Sequence, residues 1–213
     1  VLVLAEPVIW VAYTQNHKPQ LLVLLDGSGS MNTRDELPNE QVTEMRTLLT
    51  APESGESPDP TTLTRAELVR LAMQAGPLAD TLDEIKEDFD LRFYLMDSLD
   101  QARLLETESE EEETPASKDF AELLTFDAEI TALGGALDDL ALRHGSQRIG
   151  GTVIVSDFIQ NAGVPALDSI GRLNSEVFAI GLGPVDAVDL QVQLEAPLVL
   201  KQDGVELFTA LGQ

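Results

Sequence analysis

Leu21-Leu22-Val23-Leu24-Leu25-Asp26-Gly27-Ser28-Gly29-Ser30-Met31 decides how the rest of this 213-residue chain is read. Five apolar residues in a row fit a short strand buried on both faces, as in a parallel sheet with helices above and below it. The run stops at Asp26, and the glycines after it permit a sharp turn at the strand's carboxyl end. In an open α/β sheet that end faces the crevice where strand order reverses and ligands bind. Asp26, Ser28 and Ser30 offer one carboxylate and two hydroxyls there. Such an all-oxygen set suits Mg2+, a hard ion that takes about six oxygens in near-octahedral geometry. A string of this kind is also common in ordinary serine-rich turns, so its weight depends on what lies downstream.

Two downstream segments add donors. In Ile130-Thr131-Ala132-Leu133-Gly134-Gly135-Ala136-Leu137 the apolar residues Leu133, Ala136, Leu137, Leu140 and Ala141 recur at helical spacing. Thr131 therefore stands just before a helix N-terminus, as a metal-facing hydroxyl or as a plain N-cap. Gly151-Thr152-Val153-Ile154-Val155-Ser156-Asp157 is a second buried strand ending in an acid. Asp157 is either a second carboxylate for the same site or an ordinary strand-end aspartate.

Taken together, these segments resemble a von Willebrand factor type A (VWA) domain. That family carries D-x-S-x-S after its first strand, a T-x-[LI]-G-x-A-L helix start, and a strand ending [ST]-D. Asp26, Ser28, Ser30, Thr131 and Asp157 fill all five positions. Val177-Phe178-Ala179-Ile180-Gly181-Leu182-Gly183 resembles the next core strand, so the likeness spans about residues 20–183. It implies an open, doubly wound, mostly parallel α/β sheet of Rossmann-like form. It also implies a metal-ion-dependent adhesion site (MIDAS) in which those five residues hold Mg2+, with Mn2+ or Ca2+ as substitutes. Asp26 and Asp157 would act mainly through water, or one of them directly, and a partner protein's Asp or Glu would complete the shell. Phe158 departs from the pattern, because many members have glycine after the final aspartate; the departure bears on the shape of the loop rather than on ligation.

Charge limits the partners. The chain holds 13 Lys and Arg against 38 Asp and Glu, a net charge of −25, and is 43% hydrophobic. It can bury a substantial core. Its charge argues against nucleic acid and anionic membrane surfaces as direct partners. Residues 35–129 carry 26 of the acids and only 7 of the bases, so most of the excess sits there. With no cysteine, disulfides, thiolate zinc sites and cysteine nucleophiles are excluded.

Two insertions interrupt the expected 20–185 domain. Residues 35–61, with Pro38, Pro52, Pro58 and Pro60, read as a long insertion emerging at the site's edge of the sheet. Thr64-Arg65-Ala66-Glu67 then opens a helix with a capping-box pattern. A helix is expected around Leu78–Phe89 and a strand over Leu91–Asp97. The second insertion, residues 106–118, begins with six glutamates in the eight residues from Glu106 to Glu113. It reads as a solvated loop, or alternatively as an acidic docking or calcium-collecting segment.

Residues 1–19 read as a membrane-proximal segment or an edge strand. Val1-Leu2-Val3-Leu4-Ala5 is far shorter than the roughly 20 residues that cross a bilayer. The arrangement resembles membrane-anchored bacterial VWA proteins of the aerotolerance type. That resemblance implies a membrane anchor in flanking segments, a domain on the periplasmic or extracytoplasmic side, and work beside a MoxR-type AAA ATPase. Residues 186–213 alternate over Asp189–Glu195 and carry an Asp203-Gly204 turn signal, as the start of a truncated immunoglobulin-like β module. No function is assigned to Trp10, His17 or His144, and His144-Gly145 fits a helix C-terminus.

Enzymatic readings lack parts. A haloacid-dehalogenase-like phosphatase needs a second Asp at position 28, which is Ser; no histidine sits in a triad context for Ser28 or Ser30; and the glycine-rich loop lacks a phosphate-binding lysine. The expected function is therefore a metal-dependent protein–protein interaction domain, not an enzyme. A metal-dependent hydrolase or a scaffold with an empty site are the alternatives.

Overall fold

The computed structural model describes residues 18–49, 58–74, 76–107, 117–184, 192–195 and 209–212. The apolar run at 21–25 lies inside strand β1 (Gln20–Asp26), where residues 22 to 26 are all buried. Around it the chain adds α1 (Asn39–Leu49), α2 (Arg65–Gln74), α3 (Pro77–Ile85), β2 (Asp90–Met96), β3 (Ala102–Leu104) and α4 (Ser117–Glu122). Then come α5 (Leu133–His144), β4 (Ile149–Ser156), α6 (Ala166–Ile170) and β5 (Val177–Gly181). These strands form one sheet in the order β3-β2-β1-β4-β5. All neighbours are parallel except β3, which runs antiparallel to β2. The protein is thus an open α/β fold of Rossmann-like type, as expected.

Strand alternation explains why β1 is apolar throughout. Val23 and Leu25 join Phe93 and Leu95 of β2 on one face, packed with Ala66, Val69 and Met73 of α2 and Phe120 and Ala121 of α4. Leu22 and Leu24 join Tyr94, Met96 and Ile154 on the other face, under Leu133, Ala136, Leu137 and Leu140 of α5. The helical spacing read for Leu133–Leu140 is therefore the stripe that covers this second face. Phe93 and Phe120 rings stack at 4.4 Å between centroids, tying α4 to the sheet.

The chain leaves β1 toward β2 on one side and later returns on the other side as β4, so strand order reverses between β1 and β4. Their carboxyl ends, Asp26 and Ser156-Asp157, flank that crevice.

The 35–61 insertion contains more than loop. It holds α1 and a 3-10 turn at Pro60–Thr62, whose preceding Asp59 accepts the Thr61 N–H at 3.2 Å. The capping box forms as read: Thr64 N–H donates to Glu67 Oε2 at 2.7 Å, and Glu67 N–H donates to Thr64 Oγ1 at 3.2 Å. The bonds that Thr64 donates hold the Glu67 carboxyl below its usual range. The helix expected around Leu78–Phe89 spans Pro77–Ile85, with tight turns carrying the chain on to β2. Gly145 keeps right-handed helical geometry at φ −58°, so it uses none of glycine's left-handed freedom.

A two-stranded antiparallel ribbon, β6 (Val192–Glu195) with β7 (Thr209–Gly212), comes after the domain in the chain. The alternating stretch read over Asp189–Glu195 thus includes a strand, paired with residues 209–212. Residues 1–17, the glutamate run from 108 onward, and the Asp203-Gly204 turn signal lie outside the described residues.

Candidate metal centre

Three chain segments meet at the carboxyl edge of β1 and β4, stitched by backbone bonds. Gly27 O accepts from Ala128 N–H at 3.1 Å, and Gly29 N–H donates to Ala128 O at 2.8 Å, which brings the 128–131 segment alongside Asp26–Ser30. Thr131 O accepts from Asn161 N–H and Ala162 N–H, and Thr131 N–H donates to Asn161 Oδ1 at 2.8 Å. The loop after Asp157 is thereby fastened to Thr131. All five residues singled out by sequence lie on these three segments.

Asp26 is 1% exposed. Its Oδ1 accepts the Ser28 N–H at 2.9 Å, and its Oδ2 accepts the Ser156 hydroxyl. Ser156 Oγ in turn accepts the Phe158 N–H at 2.9 Å. Among the described residues no Lys, Arg or His side chain pairs with this carboxylate. A buried carboxylate held only by neutral donors is costly, and a cation beside it lowers that cost. Ser28 and Ser30 lie next to it with their Oγ atoms 2.9 Å apart. Thr131 is buried, yet the helix cap is Ala132, without a side-chain capping bond. The N-cap alternative for Thr131 therefore does not hold.

Asp157 has a different environment. Its Oδ1 accepts the Ile159 N–H at 3.0 Å, and its Oδ2 pairs with Arg65 Nη1 at 2.7 Å. Arg65 also holds Asp35 in a two-point fork, Nε to Oδ2 and Nη2 to Oδ1, both at 2.7 Å. The Asp35 bonds first, and then the charges of Asp35 and Asp157, hold the guanidinium even more firmly in its charged form. Arg65, Asp35, Ser156 and Asn161 were not singled out by sequence as parts of the site. One signal for Arg65 was available: it is the first residue of α2, where the helix dipole disfavours a cation, so a specific anionic partner had to be nearby.

Phe158 takes φ +58°, in the left-handed region. For an L-residue this costs on the order of 1–2 kcal/mol. Glycine would take the same backbone without that cost. Gln160 braces the next residues of the loop: its Nε2 donates to Ala162 O at 2.8 Å and also to Val164 O, while its Oε1 accepts the Ala166 N–H at 3.2 Å. Gly134 lets this loop lie on α5, because a Cβ there would stand 2.1 Å from Val164 O.

The donors are all oxygens, which fits a hard divalent cation. Among the described residues no three His, Cys, Asp or Glu side chains cluster as a self-sufficient cage. Two carboxylates and three hydroxyls suit Mg2+, which keeps several waters, better than an ion that needs a protein cage.

No family profile and no curated protein sequence matches this chain. A solved structure of an aerotolerance-related membrane protein from Bacteroides fragilis NCTC 9343, with multiple mutations to serines, is similar at 16% identity and a TM-score of 0.40. The match covers 90% of this chain and 81% of that one. Among the described residues of this chain no helix is long and apolar enough to cross a membrane.

Proposed function

We propose that this chain is a VWA-type, divalent-metal-dependent protein–protein interaction domain of the MIDAS kind. Asp26, Ser28, Ser30, Thr131 and Asp157 would hold Mg2+. The ion, when bound, supplies a position for a carboxylate oxygen from a partner protein's Asp or Glu. The observation that carries this reading is Asp26 itself: a carboxylate 1% exposed, held by neutral donors, at the point where strand order reverses.

The protein's own groups supply order rather than reaction. Ser28 N–H and Ser156 Oγ fix both oxygens of Asp26; Ile159 N–H fixes one oxygen of Asp157; Asn161 fixes the backbone of Thr131. These are holding contacts, and we read the site as one that binds a partner. We further propose that the domain belongs to a membrane-anchored bacterial protein and faces the extracytoplasmic side, with a MoxR-type AAA ATPase as a functional partner.

Calorimetric titration with MgCl2 and with MnCl2 tests the metal. Wild-type protein should give a saturable heat that Asp26→Ala loses. Equal heats from both proteins would overturn the proposal.

A further inference from the structure

The Asp35–Arg65–Asp157 chain of charges reaches from the 35–61 insertion to the sheet edge. Arg65 and Asp35 side chains are 11% and 10% exposed, and that of Asp157 is 1% exposed, so all three are largely withdrawn from water. Two further contacts place the insertion over this guanidinium. Arg65 Nη2 lies 3.5 Å from where a Cβ on Gly183 would stand, and Gly183 O accepts from Gln41 Nε2 of α1 at 3.0 Å. Arg65 N–H also donates to Thr33 O at 3.1 Å, which pins the start of α2 to the chain entering the insertion.

Arg65 thus serves two carboxylates unequally. Asp35 receives two of its N–H groups and Asp157 one. A cation added at the site would find Asp157 already committed to a unit positive charge 2.7 Å from one of its oxygens. An ion ligated by Asp157 would share that carboxylate with the guanidinium, inside the Debye length of about 8 Å at physiological salt, so their mutual repulsion would be little screened. The weaker of the two attachments is the one a divalent ion would displace, and the guanidinium would stay with Asp35 by its two-point fork.

Building on the metal reading above, we infer that Arg65 is a resident counter-cation that competes with the metal for Asp157 and couples occupancy of the site to the 35–61 insertion. Without metal, Arg65 bridges Asp157 to Asp35 and holds the insertion against the end of β4. With metal, that bridge opens on the Asp157 side, and the insertion is left tied to the sheet edge through Gln41 Nε2 and Gly183 O. Because coupling is reciprocal, whatever holds the insertion down must also weaken metal binding. A partner that binds the insertion in its released state would therefore tighten the metal.

Calorimetry and hydrogen exchange on the full chain test this. Arg65→Gln should bind MgCl2 about tenfold tighter than wild type, the scale of removing one nearby unit charge. Asp35→Asn should bind more weakly, because Arg65 then leans wholly on Asp157. Saturating MgCl2 should speed amide exchange of Asn39–Leu49 several-fold in wild type and leave it unchanged in Arg65→Gln. Unchanged or weaker binding by Arg65→Gln overturns the competition. Metal binding that leaves exchange of α1 unchanged in wild type overturns the coupling, and separates it from a general charge effect. Heats that survive Asp26→Ala would instead overturn the metal site itself, a failure distinct from either.

Discussion

The sharpest check of how the site's loop is held is Gly134→Ala, compared with Gly171→Ala. Intrinsic propensity alone favours alanine over glycine within a helix by up to about 1 kcal/mol, so Gly134→Ala in α5 would be expected to stabilise the protein. Packing reverses the sign. The new Cβ would stand 2.1 Å from the carbonyl oxygen of Val164 and 2.9 Å from its carbonyl carbon. Carbon–oxygen contacts settle at about 3.3 Å or beyond, so the loop must retreat by roughly 1 Å. That retreat pulls Val164 O away from Gln160, whose side chain braces residues 160–166. Overpacking of this kind costs about 1–3 kcal/mol, and a lost hydrogen bond adds about 1 kcal/mol. Against the propensity gain, the net should be a destabilisation of about 1–3 kcal/mol. Gly171 has ordinary helical geometry at φ −63° and nothing within 4 Å of its would-be Cβ. Alanine there should stabilise by about 0.4–1 kcal/mol through the unfolded chain. Urea unfolding followed by circular dichroism measures both. If Gly134→Ala stabilises as Gly171→Ala does, the close seating of the loop on α5 is wrong.

Other consequences are equally direct. Tyr94 OH lies 2.7 Å from His144 Nε2, while His144 Nδ1 faces the side-chain oxygens of Gln20 and Gln147 at 2.8 and 2.9 Å. Nδ1 is therefore a donor, and Nε2 accepts from the Tyr94 hydroxyl in the neutral ring. Tyr94→Phe leaves Nε2 buried without that partner and should cost about 1–3 kcal/mol in urea unfolding. Burial, above all, raises the Tyr94 hydroxyl above its ordinary value of 10.0. The folded state then holds that proton longer than the unfolded one, so the contribution is complete below about pH 10 and is lost as pH rises through the raised value. The urea midpoint measured upward from about pH 9 should fall more in wild type than in Tyr94→Phe; parallel curves would refute this. Asn161→Ala removes the acceptor of the Thr131 N–H and should lower stability by about 1–3 kcal/mol. It should also weaken Mg2+ binding by calorimetry, and an unchanged affinity would show that Thr131 needs no such brace.

Much of the fold was legible because burial on two faces leaves a strong mark. Leu21–Leu25 and Val153–Val155 are continuous apolar runs for the reason the structure shows, that odd and even residues feed separate cores. The capping box at Thr64–Glu67 is a local motif whose bonds all fall within four residues, and such motifs need no tertiary information. α1 was missed as an element because its residues are largely exposed, with only Leu49 buried, so no apolar stripe announces it. The five candidate ligands were legible as strand ends and a helix start. Asn161 and Arg65 were not, since each acts on a residue at least 30 positions away.

By itself the sequence determined the α/β class, the positions of the central strands and the oxygen-rich turn after β1, because periodicity, glycine placement and capping are local in the chain. Tertiary structure alone decided that Asp26 is buried among neutral donors while Asp157 is shared with a guanidinium. Two aspartates at equivalent strand ends look alike in sequence. Their electrostatics differ because the charge that reaches one of them comes from a helix 92 residues away, and only folding brings it within hydrogen-bonding distance.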